Sequence, residues 1–170
     1  MESADLSPVL VVLSGLPGVG KTTIARELAR ITGAVHVRID SIEQALRDRG
    51  VAVAGEGYAA AYAVAEDNLR RGRTVIADCV NPWPLTRREW RSVADRAGVA
   101  AIDVEIVCSD EHEHRRRVEA RSSDIAGHPL PTWAEVLARD YRPWNDERIV
   151  IDTALLSVDE SVRRILGMPL

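Results

Sequence analysis

Residues Gly15-Leu16-Pro17-Gly18-Val19-Gly20-Lys21-Thr22 follow the pattern GxxxxGK[ST], behind a short apolar run and ahead of a helical apolar period. Glycines at these positions let the backbone curl so that successive N–H groups point inward, and the start of the next helix adds a positive dipole end. A loop of this kind cradles phosphates. Within it Lys21 is placed to reach the β- and γ-phosphates of a nucleotide. Thr22 is placed to ligate Mg²⁺ through its hydroxyl, and Thr23 to donate to an α-phosphate oxygen. Lys21 is also the single lysine among 22 basic residues.

Two carboxylates close strands near that loop. Asp78 ends the run Thr74 to Ala77, where it suits the water shell of a metal or, equally, a plain capping role. Asp40 follows the run Ala34 to Ile39; it could accept a proton from a hydroxyl, or cap a helix together with Ser41. Arg117 and Arg121 lie one helical turn apart on a shared face, ahead of a Gly- and Pro-containing loop. That placement lets them close over phosphates and stabilise charge on a transferred group. A solvated charge run is the plain alternative, and it suffices for Arg115 and Arg116. His112 and His114, two apart on a helix, point to different faces and make a poor metal pair, while His36 and His128 stand alone. Trp83, Trp90, Trp133 and Trp144 read as packing residues, because no basic and aromatic interleaving surrounds them.

The frame for these groups is an alternation of strands and helices. Val9 to Leu13 reads as a buried parallel strand, and a helix from Lys21 carries Ile24, Ala25, Leu28 and Ala29 on one face before Gly33. Ala34 to Ile39 is a second strand, Thr74 to Ala77 a third, Ala101 to Cys108 a fourth and Arg148 to Ile151 a fifth. Between them the sequence predicts helices opened by four capping boxes, at Ser41/Gln44, Thr86/Glu89, Thr132/Glu135 and Ser157/Glu160. An alanine-rich helix over Tyr58 to Arg71 and a charged one over Asp110 to Arg121 complete the set, with a mobile loop expected over Ser122 to Pro131. This order predicts an α/β fold whose parallel sheet is covered on both faces. Ligands of such sheets bind beyond the carboxyl ends of the strands, so Ser14, Gly15, Asp40, Asp78 and Cys108 are expected around one crevice.

Composition narrows the partners. At 170 residues, 46% hydrophobic and 28% charged, the chain has the size of one domain, residues 1–170. No stretch reaches the roughly 18 apolar residues of a membrane helix, and the start lacks the blocks of a signal peptide, so a soluble, cytoplasmic protein is expected. A net charge of -4 argues against a general nucleic-acid coat. Oligomeric state leaves no signal here.

With these residues in view, the chain resembles the small P-loop kinases that include chloramphenicol phosphotransferase, the zeta toxins and the kinase domain of polynucleotide kinases. The resemblance spans most of the chain and rests on LSGLPGVGKTTIARELA, VRID, GRTVIADCVN and RRRVEARSSD. It implies a five-stranded core of the nucleoside monophosphate kinase type with a small helical lid over about residues 110–131. It also implies ATP with Mg²⁺ as donor and phosphoryl transfer to a hydroxyl of a small molecule. In those relatives an aspartate after the second strand is the catalytic base, the place of Asp40, and lid arginines meet the ATP phosphates, the place of Arg117 and Arg121. Asp78 would inherit the role of organising the metal or acceptor. Polynucleotide kinases carry an arginine three residues after the base, where Glu43 stands here, which argues against a phosphorylated or nucleic-acid acceptor and leaves a polynucleotide 5′-hydroxyl kinase as the alternative. The acceptor pocket is expected between Val51 to Tyr62 and Asn81 to Arg88, with Tyr58, Tyr62, Asn81 and Trp83 as candidates. A GTPase would need an Asn-Lys-x-Asp motif, which a chain with one lysine cannot supply. A ring-forming ATPase would need a helical domain after the core, for which the length leaves no room. A binding module without transfer activity is the remaining rival.

Overall fold

Strand β1 (Val9–Ser14) lies at the centre of the sheet, and its side chains alternate between two apolar layers. In the computed structural model, which describes residues 7–169, five strands run parallel in the order β2-β3-β1-β4-β5. The others are β2 (Val35–Arg38), β3 (Val75–Asp78), β4 (Ala100–Val107) and β5 (Ile149–Asp152). Helices α1 (Lys21–Thr32), α2 (Ile39–Arg47), α3 (Glu56–Arg70), α4 (Pro84–Ala97), α5 (Glu111–Ala120), α6 (Trp133–Leu137) and α7 (Val158–Ile165) fill the connections. Leu10 and Val12 pack against Ala61 and Ala65 of α3 and Trp90 and Val93 of α4. Val11 and Leu13 face the other layer, with Ile24 and Leu28 of α1 and Val162 and Ile165 of α7. Burial of each such side chain stabilises the sheet by about 1.5–3 kcal/mol, so β1 is the most firmly fixed element, and it leads straight into the glycine loop.

Two helix starts differ from the capping-box reading. Helix α2 begins at Ile39, directly after Arg38, because the buried Ile39 side chain turns the chain into the core. Asp40 therefore sits in the first helical turn, where its charge complements the dipole, rather than at the strand end, and Ser41 caps nothing. Gln44 is buried and donates to Asp48 at 2.8 Å. Helix α4 begins at Pro84, whose fixed φ and missing N–H suit a first helical position, and the Thr86 hydroxyl donates back to the Trp83 carbonyl at 3.0 Å. The boxes at Thr132/Glu135 and Ser157/Glu160 form. Helix α3 starts at Glu56, two residues before the expected Tyr58. No helix among the described residues is long and apolar enough to cross a membrane.

One buried arginine ties the segment after α6 to the β3–α4 loop. The Arg87 guanidinium, from α4, donates to the carbonyls of Asn81 (3.2 Å), Pro82 (3.2 Å), Arg142 (2.6 Å) and Pro143 (3.0 Å). It lies over the Trp144 ring at 4.1 Å. Burial lowers its affinity for a proton, yet a guanidinium stays charged, so these carbonyls carry its solvation. Arg87→Ala is expected to lower unfolding stability by about 3 kcal/mol, since the buried Asn81 carbonyl and two half-buried ones lose their donor and the stacking on Trp144 is lost; chemical denaturation checks this.

Candidate active site

The phosphate-loop geometry follows from where its carbonyls go. The Lys21 ammonium, nearly buried, donates to the carbonyls of Gly15 (2.8 Å) and Leu16 (2.9 Å). His114 of α5 donates through Nε2 to the Pro17 carbonyl at 2.9 Å, Thr153 donates through Oγ1 to that of Val19 at 2.8 Å, and the Ile24 N–H takes that of Gly20. With those carbonyls engaged, no acceptor among the described residues takes the N–H groups of Gly18, Val19 and Gly20, and they remain available to an anion. The loop also fits tightly beneath: a Cβ on Gly15 would overlap the Ile106 carbonyl, and one on Gly18 would come within 2.5 Å of a Val118 methyl. Both glycines have positive φ, so a larger residue is excluded twice over.

Asp78 lies below Lys21 at the end of β3, paired in register with Leu13 on one side and Arg38 on the other. Two donors converge on its Oδ2, Thr22 Oγ1 at 2.8 Å and His36 Nε2 at 3.1 Å, and the Arg38 Nε stands 4.0 Å away as a charge rather than a donor. No side chain among the described residues donates to its other oxygen, Oδ1, which therefore stays free. Burial alone would push the Asp78 carboxyl up; the His36 hydrogen bond, the Lys21 charge and the Thr22 hydrogen bond outweigh it and hold it below the usual value. Burial likewise draws Lys21 below its ordinary value against the pull of Asp78 and Asp40. His36 and Arg38, two apart on β2, share a face, and that period-two spacing next to Asp40 is the signal that could have placed both at this site.

Asp40, half-exposed, faces a cavity of about 1270 Å³ that also takes in Pro17, Gly18, Gly20, Lys21, Thr22 and Thr23. Gly15, Leu16 and Val19 form the back of the loop and do not line it. Arg117 and Arg121 both do. Arg117 is held by Glu113 (2.7 Å) and by the Thr153 hydroxyl (2.8 Å), whereas the Nε of Arg121 is buried without a partner. Residues 122–131 fold across this side. Asp124 takes a bidentate pair from Arg38 (2.8 and 3.1 Å) and a further contact from Arg26 of α1, and the Arg38 fork holds its carboxyl far below the usual carboxylate range. His128 Nε2 stands 3.7 Å from Asp40. Sequence reasoning left His36 and His128 isolated, weighed His114 only as half of a poor metal pair with His112, and gave Thr153 and Asp124 no role; only the tertiary fold brings them here.

Beyond Asp40 the cavity continues between α2, α3 and α4. Tyr58, Tyr62 and Trp83 line it. Asn81 does not: its side chain is fully buried, with Nδ2 donating to Ser14 Oγ at 2.9 Å and its N–H to the Tyr58 hydroxyl at 2.9 Å, so it supports the wall from behind. A left-handed φ of 50° at Asn81, tolerable for this residue type, turns the chain there. Cys108, expected at the crevice, lies off it.

Comparison with solved structures finds the same fold in two kinases and in Kti12. The Mycobacterium tuberculosis APS kinase in complex with AMPPNP and APS shares 18% identity, with 95% of this chain and 96% of that chain covered and a TM-score of 0.70. Kti12 of Chaetomium thermophilum in complex with ADP-AlF3 shares 22%, over 93% and 95% of the two chains, with a TM-score of 0.68. A gluconokinase from Sinorhizobium meliloti 1021 shares 19%, over 94% and 90%, with a TM-score of 0.64. At such identities the likeness is one of fold: an all-parallel, five-stranded, kinase-like P-loop fold. No curated protein matches the sequence. Residues 10–143, which include the loop, both aspartates and the arginines described above, match the family AAA_33, an AAA domain, and the chain belongs to that family.

Proposed function

We propose that this protein is an ATP-dependent kinase that transfers the γ-phosphoryl group to a hydroxyl of a small-molecule acceptor, drawing on cytoplasmic ATP. One observation carries this reading: a single cavity of about 1270 Å³ runs from the phosphate loop past Asp40 to the α3–α4 wall. A site for one small ligand measures roughly 300–1000 Å³, so this one has room for donor and acceptor together. The AAA description would suit an ATPase as well; the space beyond Asp40 favours a second substrate. Glu43, which packs on Gly57 and accepts from Arg47 at 3.0 Å, supports a non-phosphorylated acceptor over a polynucleotide end. The narrower likeness to the chloramphenicol phosphotransferase group rests on the four quoted motifs and forms part of this proposal. So does a single catalytic unit over residues 1–170 with a lid near 110–131.

The residues divide the work by position. Lys21 exchanges the Gly15 and Leu16 carbonyls for phosphate oxygens, and the free N–H groups of the loop bind the remainder. Thr22 Oγ1 and the free Oδ1 of Asp78 are hard oxygen donors, which fit Mg²⁺, an ion that takes few protein ligands and keeps waters and phosphate oxygens. When bound, Mg²⁺ offsets the negative charge between the β- and γ-phosphates. Asp40 accepts the proton of the attacking hydroxyl, and Arg117 and Arg121 stabilise charge on the group in transit. Arg121 is suited to that task because its Nε has no partner in the protein to give up.

ATP consumption with Mg²⁺, measured across aminoglycosides, chloramphenicol, sugars, nucleosides and 5′-hydroxyl oligonucleotides, tests the reading. Stimulation by one class that Lys21→Ala abolishes is expected; silence across the panel with ATP still bound would leave a nucleotide-binding module. With the stimulating acceptor, Asp40→Asn should slow transfer by about 10²–10⁴ and leave ATP affinity nearly unchanged. A collapse of ATP affinity would instead make Asp40 structural. For the lid, Asp124→Asn removes the charge that holds Arg38 and Arg26, so amide exchange over residues 122–131 should quicken about fivefold or more while α1 keeps its protection. Unchanged exchange would show that the loop is held by other contacts.

A further inference from the structure

The acceptor half of the cavity has few polar atoms left to offer. The Tyr58 hydroxyl is engaged by the Asn81 N–H, the Thr86 hydroxyl by the Trp83 carbonyl, and the Trp83 N–H by Asp140 at 3.1 Å. Tyr62 Oη reaches the Thr86 carbonyl at 3.5 Å. Of the two arginines nearest the acceptor, Arg47 is tied to Glu43 and Arg38 to Asp124. What the wall presents is carbon: the rings of Tyr58, Tyr62 and Trp83 and the side chains of Val80 and Leu85. The remaining charges, Glu89 and Arg139, are exposed at its margin.

This inventory selects among alcohols. A polyol laid against such a wall gives up hydrogen bonds to water and gains none, and each unreplaced bond weakens binding by about tenfold. An anionic acceptor finds Arg38 and Arg47 already paired, and the exposed Arg139 offers only a water-screened charge at the margin. An apolar ring, by contrast, gains from every carbon it covers, and the tyrosine rings favour edge or offset contact with another ring.

We propose that the acceptor is an uncharged alcohol with an apolar, ring-bearing body, its hydroxyl meeting Asp40 and its body covering Tyr58, Tyr62 and Leu85. The transfer step rests on the kinase reading above; the binding preference does not. In that step the hydroxyl oxygen forms a bond to the γ-phosphorus as the bond from that phosphorus to the β–γ bridging oxygen breaks. The bridging oxygen keeps the electron pair on ADP, and the hydroxyl proton passes to Asp40.

The test is calorimetric titration of the full chain, with ADP and Mg²⁺ present, by 3-phenyl-1-propanol, glucose and glycerol 3-phosphate, beside ADP release from ATP with each. Phenylpropanol should bind at least about tenfold more tightly than the other two. Leu85→Glu, at a position more than half exposed and so harmless to folding, should weaken it about fivefold, whereas Tyr62→Phe, which keeps the ring and loses only a poorly used hydroxyl, should hold it within about twofold. Tighter binding of glucose or glycerol 3-phosphate, stimulation of ADP release by either alone, no binding of phenylpropanol, or indifference to Leu85→Glu would each overturn the inference. If phenylpropanol binds with this variant pattern and no alcohol stimulates Lys21-dependent ADP release, the binding preference stands and the kinase reading falls.

Discussion

A lysine ammonium nearly shut off from water needs acceptors, and much of this molecule is arranged so that Lys21 has them. Its partners are two carbonyls of its own loop, with the carboxylate of Asp78 below. That carboxylate is fixed in turn by strand register, since β3 pairs with β1 on one side and with β2 on the other. A shift of one residue in either pairing would turn Asp78 to the opposite face of the sheet and take the main counter-charge away from the buried ammonium. The two apolar layers that lock β1 between α1 and α3 are therefore also what keeps the charge pair in place.

The loop near the start of the chain takes its shape from residues near the end. His114 and Thr153, about 100 and 130 positions on, hold the Pro17 and Val19 carbonyls outward. Arg117 donates to the same Thr153 hydroxyl, so α5, β5 and the loop share one chain of hydrogen bonds. His114 is further held by the edge of Trp133, with ring centroids 5.0 Å apart. Because His114 and Arg117 lie on α5, just before residues 122–131, any displacement of α5 acts on the Pro17 carbonyl directly and on the Val19 carbonyl through Thr153. The lid and the phosphate cradle form one mechanical unit.

The parts of this arrangement that depend on local spacing could be read from the sequence. The glycine loop, the buried β1, the five strands and the two late capping boxes are local patterns, and the structure has them. The boxes at Ser41 and Thr86 fail for a physical reason: the four-residue rule cannot see that a buried Ile39, or Pro84 at a first helical position, starts the helix three residues sooner. Asn81 was legible as a turn residue but not as one whose amide faces Ser14, because that contact joins residues 67 apart in the chain. Asp124 and Arg87 are illegible for the same reason, as each acts on a group that another element supplies, whereas His36 and Arg38 left a local signal in their period-two spacing on β2.

The protein answers the buried-charge problem of this site with groups of its own. Lys21 rests on loop carbonyls, Arg38 on Asp124, and Arg117 on Glu113 and Thr153. A phosphate that enters must displace bonds already made, so its gain is a difference between two sets of hydrogen bonds rather than the full worth of the new one. Such a site discriminates by geometry, since only an anion that reaches Lys21 and the free loop N–H groups together recovers what it displaces. Arg121 lacks such a group: its Nε is buried without a partner, and unlike Arg38, whose Nε is also unmet, it has no carboxylate among the described residues on its other nitrogens. Its unmet demand is greatest where charge is densest, and that places the strongest pull of the site on the group being transferred rather than on the nucleotide at rest.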